Sequence, residues 1–188
     1  MYVDRILYPI ETLGPGKRIV IWTVGCTKHC AHCANPELWD PAGRNNIAIK
    51  DLAQIIGNLC RENSVDGITF TGGDPLEQAE ELLPLLRLIK DSVPDVLVYT
   101  GYTREELELL VDNQMLESLV SVLIDGPYID EQNDERCVLR GSSNQCIFYF
   151  DEDRRKDYET YLRSGRKIQN IVMGDRLISV GIHNRKKD

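Results

Sequence analysis

Four short apolar runs punctuate the first two thirds of the chain, and helical spacing fills the gaps between them. Residues 19–24, 67–71, 96–100 and 121–125 are each brief, rich in β-branched side chains and closed by a polar or glycine-containing turn. That is the pattern of strands buried on both faces in a parallel sheet. Residues 51–61 place Leu52, Ile55, Ile56 and Leu59 on one helical face, and residues 83–91 begin with Pro84, suited to a first helical position. A third helix has Thr103 and Glu106 at capping-box spacing ahead of an apolar stripe of Leu107, Leu109 and Leu110. Alternation of this kind forces right-handed βαβ crossovers, hence an α/β fold with a mostly parallel sheet and helices packed on it. Four or five such units cannot complete an eight-stranded barrel.

After Asp125 the pattern changes. A loop leads to a strand at residues 146–150, a charged stretch at 151–157, a short helix at 158–163, and a hairpin whose arms, 169–173 and 177–182, flank Gly174-Asp175. With 188 residues, 42% of them hydrophobic, and no linker or repeat, the expectation is a single domain over residues 1–188. Its core spans about 14–150, and residues 151–188 form a C-terminal β-hairpin extension.

A net charge of −8 repels a phosphate backbone. The two basic runs, Arg154-Arg155-Lys156 and Arg185-Lys186-Lys187, are short and have acidic neighbours, so no nucleic-acid partner is expected. No apolar run is long enough to span a bilayer and the N-terminal residues alternate polar with apolar, so neither a membrane nor export is expected and the chain should be cytoplasmic.

Six cysteines in a cytoplasmic chain argue for metal or redox chemistry over disulfides. Three of them sit in Gly25-Cys26-Thr27-Lys28-His29-Cys30-Ala31-His32-Cys33, a C-x3-C-x2-C array just beyond a strand, where parallel sheets form their binding crevice. Three thiolates leave one iron of a 4Fe-4S cluster open. Equally, His29 or His32 could complete a tetrahedral zinc set, as in a non-catalytic zinc-binding interaction module. Residues Thr71-Gly72-Gly73-Asp74-Pro75 close the next strand, and two glycines there would let a ligand approach bare backbone. Gly14-Pro15-Gly16-Lys17-Arg18 is no phosphate loop, because Glu11 stands where that spacing needs glycine and Arg18 where it needs serine or threonine. Cys60, Cys137 and Cys146 form no second motif.

The cysteine array followed by Gly-Gly-Asp-Pro resembles the radical S-adenosylmethionine (SAM) pattern. Further segments are similar to the anaerobic ribonucleotide reductase activating proteins: Gly14-Pro15-Gly16, Cys33-Ala34-Asn35-Pro36 with Trp39, Tyr99-Thr100-Gly101-Tyr102, Asp125-Gly126, and Arg140-Gly141-Ser142-Ser143-Asn144-Gln145. The resemblance implies a partial (β/α) barrel in which Cys26, Cys30 and Cys33 ligate a 4Fe-4S cluster whose open iron holds SAM. It implies SAM contacts at His32, Cys33, Ala34, Gly72, Gly73 and Asp74, the last beside the methionyl ammonium, and crevice positions at Thr100, Gly101 and Asp125. It further implies a reduced flavodoxin-type electron donor and a 5′-deoxyadenosyl radical directed at a glycine of a large reductase. Another glycyl radical enzyme, a peptide or a small molecule are the alternative targets. The chain departs from compact members in having Ala34 after the third cysteine and some forty residues beyond Gln145.

Overall fold

The structure, a computed structural model, describes residues 1–185. Lys186 and Lys187 of the second basic run lie outside the described residues. The main sheet has six strands in strictly sequential order: β1 (Val3–Ile10), β2 (Arg18–Thr23), β3 (Gly67–Gly72), β4 (Val96–Tyr99), β5 (Val122–Asp125) and β6 (Cys146–Tyr149). β2 to β5 are mutually parallel, and β1 and β6 close the two edges antiparallel. The four expected strands are thus present within a residue or two. β1 is additional to them, since its alternating sequence carries no turn signal sharp enough to mark its ends. It places residues ahead of position 14 inside the core sheet.

The connections are α1 (Ile49–Glu62), α2 (Ala79–Ile89), and the pair α3 (Arg104–Leu110) and α4 (Asn113–Leu119). All pack on one face of the sheet against Ile19, Ile21, Ile68, Phe70, Val96, Val98 and Leu123. Alternation within β2 sends Val20 and Trp22 to the other face. That face is covered by Leu38, by α5 (Glu152–Leu162), and by a hairpin of β7 (Ile168–Met173) and β8 (Arg176–Gly181) turning at Gly174.

Several expectations need correction. Pro84 lies inside α2, not at its start. Prolines do open helical turns at Pro75, in a short 3-10 segment capped by Asp74, and at Pro36. The apolar stripe of α3 reduces to Leu107, because the helix is under two turns long and leaves Leu109 89% and Leu110 56% exposed. Ile55 likewise turns outward on α1. The charged stretch 151–157 is the first half of α5, which Asp151 caps. The segment after residue 150 also contributes to the core. Tyr158 of α5 is fully buried and donates its hydroxyl to Asp95 at 2.8 Å, and Asp95 in turn pairs with buried Arg18 at 2.5 Å. Arg18, excluded above as a phosphate-loop residue, fills the bases of β2 to β4 by bonding Thr69 and the carbonyls of Pro15 and Ile68.

Candidate active site

β2 and β3 run in register to their ends, with Thr23 opposite Gly72, so the loops that leave them start side by side. The cysteine loop leaves β2 and the glycine turn leaves β3. Two short hydrogen bonds bind them, from Gly73 N–H to Thr23 O at 2.8 Å and from Asp74 N–H to Gly25 O at 2.7 Å. A Cβ on Gly73 would stand 2.4 Å from Gly25 O, and one on Gly72, whose φ is +109°, 2.6 Å from Thr23 O. On the Cβ side the two glycines are therefore required by the close approach of the protein's own backbone.

The cysteine loop is held from several sides. Glu77 Oε1 accepts from Thr27 N–H at 2.9 Å, from the Thr27 hydroxyl at 2.5 Å and from the Tyr102 hydroxyl at 2.9 Å. Burial would raise the Glu77 pKa, but the bonds from Thr27 and Tyr102 and the charge of Lys28 hold it below the usual range. Lys28 lies 4.1 Å over the Tyr102 ring and donates to both oxygens of Glu106, the carboxylate that also completes the expected capping box. On the far side, Gly25 and Cys26 N–H groups donate to Leu38 O and Trp39 O at 2.8 and 3.1 Å. His29 and His32 take left-handed backbone conformations, φ 45° and 57°, which curl the loop around Cys30. His29 also stacks on Trp39 with ring centroids 4.7 Å apart.

These loops open on one cavity of 640 Å³, within the size range of cofactor sites. Of the expected site residues, Cys26, Cys30, His32, Cys33, Ala34, Gly72, Gly73, Asp74, Thr100 and Gly101 all line it. Asp125 does not. Its carboxylate is buried and bonds the N–H groups of Arg104 and Cys146, fastening α3 and β6 to the end of β5, while Gly126 takes the lining position. Asp74 lines the cavity with its carboxylate already engaged. Its carboxylate is 1% exposed and accepts from Leu76 N–H (3.0 Å), the Thr100 hydroxyl (2.9 Å) and Gly101 N–H (2.7 Å), so it ties the end of β3 to the end of β4. Burial lifts its pKa to about 6 against those bonds. These bonds fix the two loops that border the cavity.

Other lining residues carried no recognised sequence signal: Arg5, Trp22, Tyr128, Asp130, Asn133, and seven residues at 179–185 from the β8 arm and the residues after it. Trp39 was visible only as part of a motif. Its indole Nε1 is buried with no partner in the structure.

The three thiols are free and half-buried, and burial raises the pKa of Cys26 and Cys30. Metal loading must therefore displace protons. Among the described residues, no three His, Cys, Asp or Glu side chains converge closely enough to hold a single ion. A tetrahedral zinc set needs that convergence around one point, whereas a four-iron cluster carries each thiolate on a different iron and suits thiols spread around one cavity wall. The donor set and its enclosure fit the cluster.

The fold is α/β, and residues 12–148 match the family described as a 4Fe-4S single cluster domain, which gives the class. The chain is 36% identical over 152 residues, covering 76% of it and 95% of the relative, to the anaerobic ribonucleoside-triphosphate reductase-activating protein of Haemophilus influenzae. It is 35% identical over 150 residues to that of Pasteurella multocida (76% and 94% covered) and 33% identical over 153 residues to that of Enterobacteria phage T4 (79% and 94% covered). The chain belongs to the anaerobic ribonucleoside-triphosphate reductase-activating protein family.

Proposed function

We propose that this chain is a radical SAM activating enzyme that cleaves SAM reductively and generates a glycyl radical on an anaerobic ribonucleotide reductase. The observation that carries the reading is the meeting of Cys26, Cys30 and Cys33 with the Gly72-Gly73 turn on one cavity, in a chain of this family. When bound, the cluster supplies an open iron for the amino-acid end of SAM and the electron that splits its sulfonium into methionine and a 5′-deoxyadenosyl radical.

The chain's own residues arrange that chemistry. Cys26, Cys30 and Cys33 are the ligands. Glu77, Tyr102 and Lys28 fix the loop that carries them, and the carbonyls around Gly72 and Gly73 offer acceptors to the methionyl ammonium. His32 and Ala34 border the cluster, Thr100 and Gly101 form the wall at β4, and Asp74 locks β3 and β4 together beneath them. The radical's target is the Cα hydrogen of a glycine, which leaves a carbon radical on the reductase and 5′-deoxyadenosine as product. We read residues 1–188 as one domain and its parallel strands, with α1 to α4 on one face, as a partial barrel whose cavity mouth meets the reductase. Free thiols and an oxygen-sensitive cluster suit the cytoplasm, where a reduced flavodoxin-type protein supplies the electron. No helix among the described residues is long and apolar enough to cross a membrane.

Anaerobic reconstitution with iron and sulfide, then dithionite and SAM, tests the reading. The expected result is 5′-deoxyadenosine release by the wild type and by Cys60→Ala, and none by Cys26→Ala, Cys30→Ala or Cys33→Ala. Full cleavage by Cys30→Ala would falsify the ligand assignment. A chain that takes up no cluster and releases no 5′-deoxyadenosine overturns the function.

A further inference from the structure

Arg5, Trp39 and Tyr99 of the cavity wall each carry a buried polar atom with no hydrogen-bond partner among the described residues: Nε, Nε1 and the hydroxyl oxygen. A buried donor without an acceptor bears its full desolvation penalty, and where a native protein keeps one it marks a redox or ligand-binding role. Two of the three are accounted for within the protein. The Arg5 guanidinium is engaged through its other nitrogens, with Asp4 at 2.6 Å and Asn35 at 3.1 Å, and lies 4.7 Å over the Trp22 ring. The Tyr99 hydroxyl stands in the field of Arg18 and Tyr161 rather than of the thiols. Trp39 has no such account, because the indole N–H is the one polar group its side chain possesses.

The same residue is built into the loop that carries the cysteines. Trp39 follows the short turn Pro36–Leu38, which the fully buried Leu38 anchors, and the carbonyls of Leu38 and Trp39 accept from Gly25 N–H and Cys26 N–H at 2.8 and 3.1 Å. Its ring is held by His29, which stands between Cys26 and Cys30 in the chain and stacks on it with centroids 4.7 Å apart. Backbone and ring are thus both fixed by the segment that bears the first two thiols, and Trp39 shares the cavity wall with all three. A donor fixed in advance in this way answers a change of charge beside it without reorganising.

We propose that the indole N–H of Trp39 donates to a sulfur of the iron-sulfur cluster and so raises the cluster's reduction potential. The inference rests on the three-cysteine ligation proposed above. Thiolates and sulfides are the acceptors that a cluster brings to this wall, and hydrogen bonds to them are among the levers that set its potential. Their negative charge grows when the cluster takes up an electron. A hydrogen bond to a charged acceptor is the stronger kind, so the bond favours the reduced form. Donation to the carboxylate of SAM is the competing use. The two differ in what they change, since the first acts on the cluster before SAM is bound and the second acts on SAM affinity alone.

The test is anaerobic redox titration of the full, cluster-loaded chain, followed by electron paramagnetic resonance, without SAM or reductase. Two changes remove the N–H: Trp39→Phe, and a benzothienyl analogue of tryptophan introduced at position 39, which keeps the bicyclic shape that stacks on His29. In both, reduction should become about tenfold less favourable, a fall in midpoint potential of about 60 mV for a one-electron couple. The sign discriminates against mere loosening, because water admitted to the site would stabilise the more highly charged reduced form and raise the potential. If Trp39→Phe loads no cluster, the isosteric analogue decides. An unchanged or raised potential in the analogue protein overturns the proposal, and if SAM binding is weakened at the same time the N–H belongs to SAM. A fall in potential in a protein whose wild type cleaves no SAM upholds this inference and overturns the radical SAM reading. A wild type that assembles no cluster overturns both.

Discussion

Replacing Gly73 with alanine isolates the contact on which the site is built. Gly73 does not adopt a left-handed backbone, so the substitution carries no penalty of conformation and its whole effect is one of space. The added Cβ would meet Gly25 O at 2.4 Å, Gly25 N at 2.9 Å and Gly25 C at 3.0 Å, all backbone atoms with no side-chain freedom to yield. The ends of β2 and β3 must part by roughly 1 Å to restore ordinary contact. At that separation the bonds from Gly73 N–H to Thr23 O and from Asp74 N–H to Gly25 O, now 2.8 and 2.7 Å, are no longer hydrogen bonds. Two bonds at about 1 kcal/mol each, plus about 1 kcal/mol of residual crowding, give a loss of about 3 kcal/mol. For a chain of this size that lowers the melting temperature by roughly 6–12 °C. Circular dichroism melting of the metal-free protein reads this directly. Gly57→Ala is the control: it lies inside α1, its nearest neighbour is the flexible end of Arg61 at 3.4 Å, and it should gain about 0.5–1 kcal/mol. A Gly73→Ala protein melting within 2 °C of the wild type would refute the claim that the two loops are joined by backbone approach.

Asp74 predicts a pH dependence of unusual sign. Its carboxyl ionises near 3.8 when unfolded and near 6 when folded, so between those values the folded chain keeps a proton that the unfolded chain has lost. Stability from this group therefore falls as pH rises from about 4 to 6, then levels off. Urea unfolding of the metal-free chain should show about 2 kcal/mol more excess stability at pH 4.5 over pH 7 in the wild type than in Asp74→Asn; equal differences would contradict it. Arg18→Met strands Asp95 in the core and should cost about 3–5 kcal/mol by denaturant titration, and a loss under 1 kcal/mol would mean that Asp95 is solvated. Glu77→Ala removes the acceptor shared by Thr27 and Tyr102. It should speed chelator stripping of the cluster several-fold while lowering the melting temperature by only a few degrees, and an unchanged stripping rate would separate Glu77 from the loop's rigidity.

What could be read in the sequence was local and periodic. The parallel strands, the Thr103–Glu106 capping box and the Gly174 turn all declare themselves within a few residues, because each depends on neighbours in the chain. The cysteine array and the glycine turn were visible for the same reason, and ten of the eleven expected site positions line the cavity. The rest depends on residues far apart. β1 is defined by pairing with β2, and α5 is a charged run made helical by burying only Tyr158 and Tyr161. Pro84 sits within α2, where the packing of Leu82, Leu83, Leu85 and Leu86 outweighs a missing N–H. Asp125 falls outside the cavity lining because a strand-end carboxylate can face a crevice or cap its neighbours, and only the positions of Arg104 and Cys146 decide. The wall at 179–185 was invisible for the same reason, since nothing in a hairpin's sequence says what it overlooks.

The strand order of the main sheet has a consequence for synthesis. Because every strand pairs with its immediate predecessor, the sheet can grow from one end as the chain emerges, without waiting for a distant segment to insert between strands already formed. The supports of the cysteine loop (Glu77, Tyr102 and Glu106) are all made with about eighty residues still to come. A nascent chain can thus hold most of the cysteine loop in place while the cavity's last wall is still to be made, and the hairpin then packs beside a loop already formed.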